Sequence, residues 1–524
     1  MSAAHGAYER EFIDTYASRW PDKPAVVMAG SGEILTYRQL NERSNQFAHA
    51  IRGAGLGRGG HVAYLIENST RCYEVMWGAY RVGCYFTPIN TRLTAEEAAY
   101  IVRDCGAELL VASAAFAEVA EQLADLVPEV ECRLGLGAAV RGYERYEDVV
   151  GRQPVTPIAD ESAGSRMYYT SGTTGQPRGV MRPLPTAPLG AHDTWLEKLS
   201  PLYGWSSETR YLCPAPLYHG AGLWWTMAMH QLGATTVVME KFAPEAFLAA
   251  VEKYEVSCLQ VVPTMFIRLL RLPDAVKAAY RRPRLTHAIH AAAPCPVAVK
   301  EAMLEWWGPV IYEYYASTEG IGYCWIPPDE WQQHKGSVGR AIQGIVHIVG
   351  DDGAELPPGE PGVIYFEGPA AAFRYHHDER KTAEAHHPQG WATAGDMGYL
   401  DDKGYLYLTD RKSNMIISGG VNIYPQEAEN LLAGHPLVDD VAVIGVPNQE
   451  FGEEVKAVVV AAAGYSGDAE LELLLIEFCR DNVAHYKCPK SVDFVDQLPR
   501  AENGKLYKRQ LRERYWAGLP SRII

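Results

Sequence analysis

No two cysteines in this sequence are spaced as CxxC. The ten cysteines are scattered from Cys72 to Cys488, which fits reduced thiols better than a disulfide framework or a zinc quartet. No run of about 18 apolar residues occurs, so no membrane span is expected. Met1 to Gly6 has neither the basic start nor the apolar core of a secretory leader, and Ser521 to Ile524 carries no lipidation or peroxisomal signal. The expected location is therefore cytoplasmic. An excess of positive charge is also missing. The 48 Lys and Arg against 64 Asp and Glu give a net charge of −16, which argues against nucleic acid as the main partner. Internal repeats and low-complexity tracts are absent, and oligomeric assembly is left open.

What is present is a long, ordinary globular composition. The 524 residues exceed one normal core, so two or more domains are expected, and 47% apolar with 21% charged residues is that of a soluble protein. Helical and strand patterns alternate. Thr36 caps a helix bearing Leu40, Phe47, Ala48 and Ile51 at helical spacing, and Thr94 caps another running to Cys105. Ser69–Val82, Pro244–Tyr254 and Pro263–Leu270 read as helices. Cys84–Pro88, Glu108–Ala112, Thr235–Met239, Cys258–Val262 and His287–His290 read as strands. This βαβ rhythm predicts parallel sheets covered by helices. Gly55-Leu-Gly-Arg-Gly-Gly60 matches GxGxxG, but it precedes a strand instead of following one, so it reads as a loop and not a dinucleotide site.

After Gly339 the texture becomes strand-rich, with Asp351-Asp-Gly353 and Asp401-Asp-Lys-Gly404 as hairpin turns. A third texture, mixed strand and helix, begins near Ser413. The expected fold is α/β: an N-terminal core over 1–410 with a β-rich, barrel-like subdomain at 340–410, a hinge at 411–413, and a mobile α+β domain at 414–524.

One run concentrates ligand chemistry, Met167-Tyr-Tyr-Thr-Ser-Gly-Thr-Thr-Gly-Gln-Pro-Arg-Gly-Val180. Between Thr170 and Gly179 stand three glycines, Ser171, three threonines (Thr170, Thr173, Thr174) and Arg178. Glycines admit close backbone approach, successive N–H groups form an anion nest, and Arg178 adds fixed charge. This reads as a phosphate-holding loop, although similar clusters also make plain surface turns. It is not a Walker loop, because no Gly-Lys-Ser/Thr follows. Four later stretches add partners. Ile311-Tyr-Glu-Tyr-Tyr-Ala-Ser-Thr-Glu-Gly320 puts an aromatic, a hydroxyl and a carboxylate where a strand gives way to a loop, the place where open α/β sheets bind ligands. Gly390-Trp-Ala-Thr-Ala-Gly-Asp396 offers a carboxylate for a ribose diol. Leu408 to Pro425 spans the proposed boundary, and Leu498-Pro-Arg-Ala-Glu-Asn-Gly-Lys-Leu506 presents Lys505 on a loop.

The order and spacing of these five blocks resemble the acyl-adenylate-forming superfamily of AMP-dependent synthetases and ligases, most closely bacterial acyl-CoA synthetases, over essentially the whole chain. The resemblance implies ATP, Mg²⁺ and coenzyme A as cofactors or substrates. It assigns Thr170, Ser171, Gly172, Thr173, Thr174 and Gly175, with Arg178, to the β,γ-phosphates. Tyr315 would stack on adenine, with Ala292 and Ala293 along its other side. Thr318 would contact the α-phosphate, Glu319 would ligate Mg²⁺ with Thr173, and Asp396 would take the ribose hydroxyls beside Arg411. Lys505 would bridge the acid's carboxylate and the α-phosphate. Ser413 matches the hinge position, and Gly419 and Gly420 the pantetheine tunnel. The chain departs at Ser413, where Asp or Lys is usual, and at Arg178, where Lys is usual. The chemistry is consistent: a carboxylate is already ionised at pH 7 and needs no base, so positioning and charge neutralisation suffice.

His219 matches the residue that gates the carboxylate. Ala221, Trp225, Met265, His290, Ala291 and Ala316 match acid-pocket walls, although Trp224 and Trp225 read equally well as core. No acidic residue lies in Tyr218–Trp225 to pair an α-ammonium, so the expected acid is apolar: fatty, aryl or cinnamic-type, or steroid-like. Coenzyme A is the expected thiol, since no carrier domain follows Lys505. Loading of a separate carrier protein and a catalytically silent nucleotide-binding protein are the alternatives, the latter opposed by intact Thr173, Glu319, Asp396 and Lys505. His376-His377 and His386-His387 read as solvated loops.

Overall fold

The computed structural model describes residues 12–170, 177–191, 194–369, 373–411, 414–418, 421–448, 450–500 and 506–517. Contacts divide the chain into two units. One comprises Met1–Gln260, Pro273–Ala288 and Phe373–Thr382; the other comprises Val261–Leu272, Ile289–Ala372 and Ala383–Ile524. This division does not follow the expected boundary at 410: the contacts group residues beyond 410 with the strand-rich segment before them.

The first unit contains two mainly parallel arrays. In one, Glu144–Arg145, Cys132–Leu136, Leu109–Ser113, His61–Leu65, Tyr85–Pro88 and Ser165–Arg166 lie side by side, all parallel. Such strands are covered on both faces, so they carry continuous apolar runs. Leu109–Ser113 is buried at every position. In the other, Pro24–Met28 pairs in parallel with Thr235–Val238, which pairs with Arg210–Cys213, and Ile34–Thr36 adds an antiparallel edge. Helix entry is set locally. Thr36 with Gln39, and Thr94 with Glu97, each form a capping box, satisfying orphan N–H groups at the starts of Tyr37–Gly53 and Ala95–Asp104. A third, small antiparallel sheet consists of Tyr168–Thr170, Arg178–Met181 and Arg374–Tyr375.

In the second unit Ile311–Tyr315, Tyr323–Ile326, Ser337–Gln343, Leu406–Arg411, Asp396–Leu400, Gly362–Glu367 and Ile345–Val349 pair antiparallel in succession. Between residues 340 and 410 the strands pair in one continuous antiparallel path. Both predicted turns join adjacent strands here. A bulge between Met397 and Gly398 re-aims the start of its strand, and only glycine fits, because a Cβ at Gly398 would sit 2.3 Å from the Tyr407 carbonyl oxygen.

Residues beyond 414 make their own sheet. Val438–Asn448 and Gly452–Ala461 pair over ten registers, flanked by Ile416–Ser418, Val421–Ile423 and the parallel strand Ser491–Phe494. The two long strands bury both faces. Val441, Val443, Ala457 and Val459 pack under the helices Gln426–Ala433 and Ala469–Asn482, while Ala442, Ile444 and Val458 pack with Leu511 of Lys508–Trp516. All ten cysteines are free thiols. No helix among the described residues is long and apolar enough to cross a membrane.

Candidate active site

The Ser/Thr/Gly run forms the connection of a hairpin. Tyr168–Thr170 and Arg178–Met181 pair with Thr170 opposite Arg178 and Tyr169 opposite Gly179. Ser171, Gly172, Thr173, Thr174 and Gly175 lie outside the described residues, as does the Thr170 side chain. The stem is anchored on both strands. Tyr169 donates a 2.5 Å hydrogen bond to Asp104 at the end of Ala95–Asp104, and Arg178 pairs with Asp378 at 3.4 Å, its guanidinium over the Tyr375 ring. Arg178 therefore has a carboxylate partner that the sequence did not reveal. Gly179 is required by close approach: a Cβ there would lie 2.5 Å from Met167 Cε and 3.0 Å from the Tyr169 ring. His376 lies in a turn beside this stem. It is half-buried, its N–H donates to the Gly179 carbonyl at 2.8 Å, and its ring stacks on His377.

The second unit brings together the residues expected to bind the nucleoside. Ile311–Tyr315 ends at Tyr315, whose hydroxyl donates to Asp396 at 2.8 Å, and Asp396 stands directly across the strand pair from Arg411. The Arg411 side chain lies outside the described residues. Beyond Tyr315 the chain turns through Ser317 and Gly320, leaving Thr318 exposed and Glu319 only 7% exposed. A carboxylate so buried needs a cation or donors. Ala292 follows the strand His287–His290 with φ +74, a left-handed conformation rare for a residue with a Cβ. Such strain clusters at functional sites, and Ala292 is exposed, with its neighbour Ala293 half-buried.

The expected acid-pocket residues do not behave alike. In the helix Gly220–Gln231, Ala221 and Trp224 are half-buried, while Trp225 is 2% exposed and packs against Tyr203, Trp205 and Tyr211. Trp225 is therefore packed in the core, and Trp224 lies on the half-buried stripe with Ala221. His219 precedes this helix, half-buried, its ring against Tyr218. Met265 and Ala291 are buried and Ala316 half-buried. His290 is fully buried, with Nε2 3.4 Å from Glu313 Oε2. Glu313 in turn accepts from Lys300 at 2.6 Å. Burial, then the Lys300 charge, hold the His290 imidazole well below its ordinary range, so it is neutral. This Lys300–Glu313–His290 group escaped the sequence reading because a lone lysine or glutamate carries no sign of its burial.

Ser413, Gly419, Gly420 and Lys505 lie outside the described residues. The residues bracketing 501–505 are described: Arg500 and Leu506 form an antiparallel bridge, and Arg500 grips Asp440 with two hydrogen bonds of 2.6 and 2.7 Å.

An open α/β fold with a tyrosine bonded to an aspartate, a buried glutamate and a strained backbone turn near strand ends matches the pattern of a nucleotide-binding enzyme. The model of the AMP-binding enzyme matches residues 13–376, and that of the AMP-binding enzyme C-terminal domain matches 427–505. The chain belongs to the AMP-binding enzyme family. It is 32% identical to the fatty acid–[acyl-carrier-protein] ligase ScoC of Streptomyces coeruleorubidus, covering 96% of this chain and 95% of that protein. It is also 32% identical to the indoleacetate–CoA ligase of Aromatoleum aromaticum, covering 96% and 97%. The crystal structure of ATP-bound MatB from Rhodopseudomonas palustris matches with a TM-score of 0.81 at 27% identity, covering 96% of this chain and 99% of that one.

Proposed function

We propose that the protein activates an apolar carboxylic acid with ATP and passes the acyl group to coenzyme A. A carboxylate oxygen attacks the α-phosphorus, the bond to the β-phosphate breaks, and pyrophosphate leaves. The thiol sulfur of coenzyme A then attacks the acyl carbon of the mixed anhydride; AMP leaves and the thiol proton passes to water. The observation that carries this reading is the 2.8 Å hydrogen bond from Tyr315 to Asp396, which joins the adenine-facing and ribose-binding positions of the family pattern.

Tyr315 presents its ring to adenine, and Asp396 accepts from the ribose hydroxyls. Thr318 donates to the α-phosphate, Lys505 neutralises the charge that builds as the two anions meet, and His219 positions the acid. The donor chemistry fits Mg²⁺: Glu319 is a buried carboxylate, and this cation takes one or two carboxylates together with phosphate oxygens and water. When bound, Mg²⁺ would offset negative charge on the phosphates. Ser413, Gly419 and Gly420 serve the rearrangement between the two half-reactions. An apolar acid is supported by the absence of a carboxylate in Tyr218–Trp225 and by the fatty-acid and indoleacetate ligases among the relatives.

The test is acid-dependent pyrophosphate release from the purified protein with Mg²⁺-ATP across fatty, aryl, cinnamic-type and steroid-like acids, followed by thioester detection with coenzyme A. No release with any acid overturns the enzyme reading. The likeness to ScoC favours a second reading, acyl transfer to a carrier protein. Acyl-adenylate that turns over with a phosphopantetheinylated carrier protein but not with coenzyme A would establish it instead.

A further inference from the structure

Asn68 stands in the short connection between the strand His61–Leu65 and the helix Thr70–Val82. Its side-chain amide reaches away from its own sheet to the other parallel array of the first unit. Nδ2 donates to the carbonyls of Ala215 and Met239 at 3.0 and 2.8 Å, and Oδ1 accepts from the Leu217 N–H at 2.8 Å. Met239 follows the strand Thr235–Val238, and Ala215 and Leu217 follow Arg210–Cys213. These two strands are parallel neighbours, so all three contacts fall just beyond their carboxyl ends. Ligands of open α/β sheets bind at that edge. One amide supplies two donors and an acceptor, which match two carbonyls and one N–H; a carboxylate has no donor, and an aliphatic side chain has neither.

The segment that Asn68 grips is the turn leading into His219. The His219 N–H donates back to the Pro216 carbonyl at 3.1 Å, and the Leu223 N–H donates to the His219 carbonyl at 3.0 Å. The turn closes tightly on the first turn of Gly220–Gln231: a Cβ at Gly222 would lie 2.6 Å from the Pro216 carbonyl oxygen. The start of that helix therefore holds the turn from one side, and Asn68 holds it from the other, at Ala215 and Leu217. Leu217 is fully buried. A buried N–H that loses its acceptor must be paired again, so the turn has a physical reason to move when the Asn68 amide is removed. The displaced backbone is two residues from His219.

We propose that Asn68 is a positioning residue that sets the place of His219 against the carboxylic acid. It touches no reacting atom and acts through the backbone at Ala215 and Leu217. Its effect falls on the acid and not on ATP, because the residues assigned to the nucleoside stand on other elements. The inference rests on the reading that His219 positions the acid.

The test is steady-state pyrophosphate release with decanoate, benzoate, cinnamate or cholate, whichever turns over fastest. Asn68→Ala should raise KM for that acid by about tenfold and leave KM for ATP within about twofold. Asn68→Asp keeps the shape and the acceptor but turns a second oxygen toward two carbonyls. Partial burial and those carbonyls raise the introduced carboxyl, and once protonated it donates to one of them. The ratio of its acid KM to that of wild type should fall from about tenfold at about pH 8 to about threefold at about pH 5.5, while the ratio for Asn68→Ala stays constant. Denaturant unfolding of both variants is measured alongside. Lost stability with an unchanged acid KM, or equal rises in KM for acid and ATP, overturns the role of Asn68. His219→Ala is the reference and should raise KM for the acid alone. If it does and Asn68→Ala does not, only the role of Asn68 falls. If His219→Ala leaves KM for the acid unchanged, or wild type turns over none of the four acids, the underlying reading falls and the role of Asn68 with it.

Discussion

Tyr315 donates a hydrogen bond of 2.8 Å to Asp396 across 81 residues of chain. The bond fixes the tilt of the ring proposed to face adenine and occupies one oxygen of the carboxylate proposed to accept the ribose diol. Tyr315→Phe keeps the ring and loses the bond. A hydrogen bond to a charged group is worth about 1.5–3 kcal/mol, an upper bound here because both groups are only half-buried. KM for ATP should rise about three- to tenfold with kcat little changed, and Asp396→Asn should raise it further. Steady-state kinetics decides; a fall in kcat at constant KM would contradict a role confined to nucleoside binding.

Lys300 forms a buried ion pair with Glu313, which stands two residues before Tyr315. Burial raises the Glu313 carboxyl and lowers the Lys300 amine, and each shift is opposed by the partner's charge. Removing one partner strands the other. Glu313→Gln should destabilise the protein by about 3–5 kcal/mol, whereas Lys300→Met with Glu313→Leu should recover most of that loss. Denaturant unfolding of the three variants is the measurement.

His230 supplies a pH dependence. The Trp77 indole N–H donates to its Nδ1 at 3.1 Å, so Nε2 carries the proton and faces the Ala25 carbonyl. Burial lowers its pKa from 6.5 to about 3. A depressed folded pKa contributes stability that is complete above the unfolded value and is lost as pH falls toward the folded one. Between about pH 6.5 and pH 3 this group should cost about 1.4 kcal/mol of stability per pH unit. His230→Gln offers the same acceptor and donor without a titration. The difference in unfolding free energy between wild type and variant should therefore shrink from about pH 7 to about pH 5. A constant difference would refute the buried neutral imidazole.

Gly179→Ala places a methyl group against Met167 and the Tyr169 ring. The ring must shift, and its bond to Asp104 should break. KM for ATP should rise by about tenfold, and Tyr169→Phe should reproduce part of the rise without the clash. Isotope-exchange kinetics of pyrophosphate with ATP provides the readout. An unaffected KM would show that the hairpin stem does not place the phosphate-binding connection.

The chemical blocks were legible from residue types alone. Thr36 and Thr94 announce their helices through caps acting within three residues, and the turns at Asp351–Gly353 and Asp401–Gly404 join the strands they predicted. The partners of those blocks were not legible. Nothing near Arg178 points to Asp378, and helical spacing alone leaves Trp224 and Trp225 as equal choices until the Tyr203–Trp205–Tyr211 cluster claims one of them. Glu313 reads as one more strand residue until Lys300 is brought against it.

The sequence by itself determined the family, the order of the five motif blocks, and most element boundaries. These depend on backbone preferences and side-chain chemistry that act over a few residues. Only the tertiary structure decided that Tyr315 binds Asp396, which strands between 340 and 410 become neighbours, and that a bulge at Asp439 faces Arg271. Those outcomes depend on which distant segments bury their apolar faces together, an energy shared across the whole core and carried by no single stretch of chain.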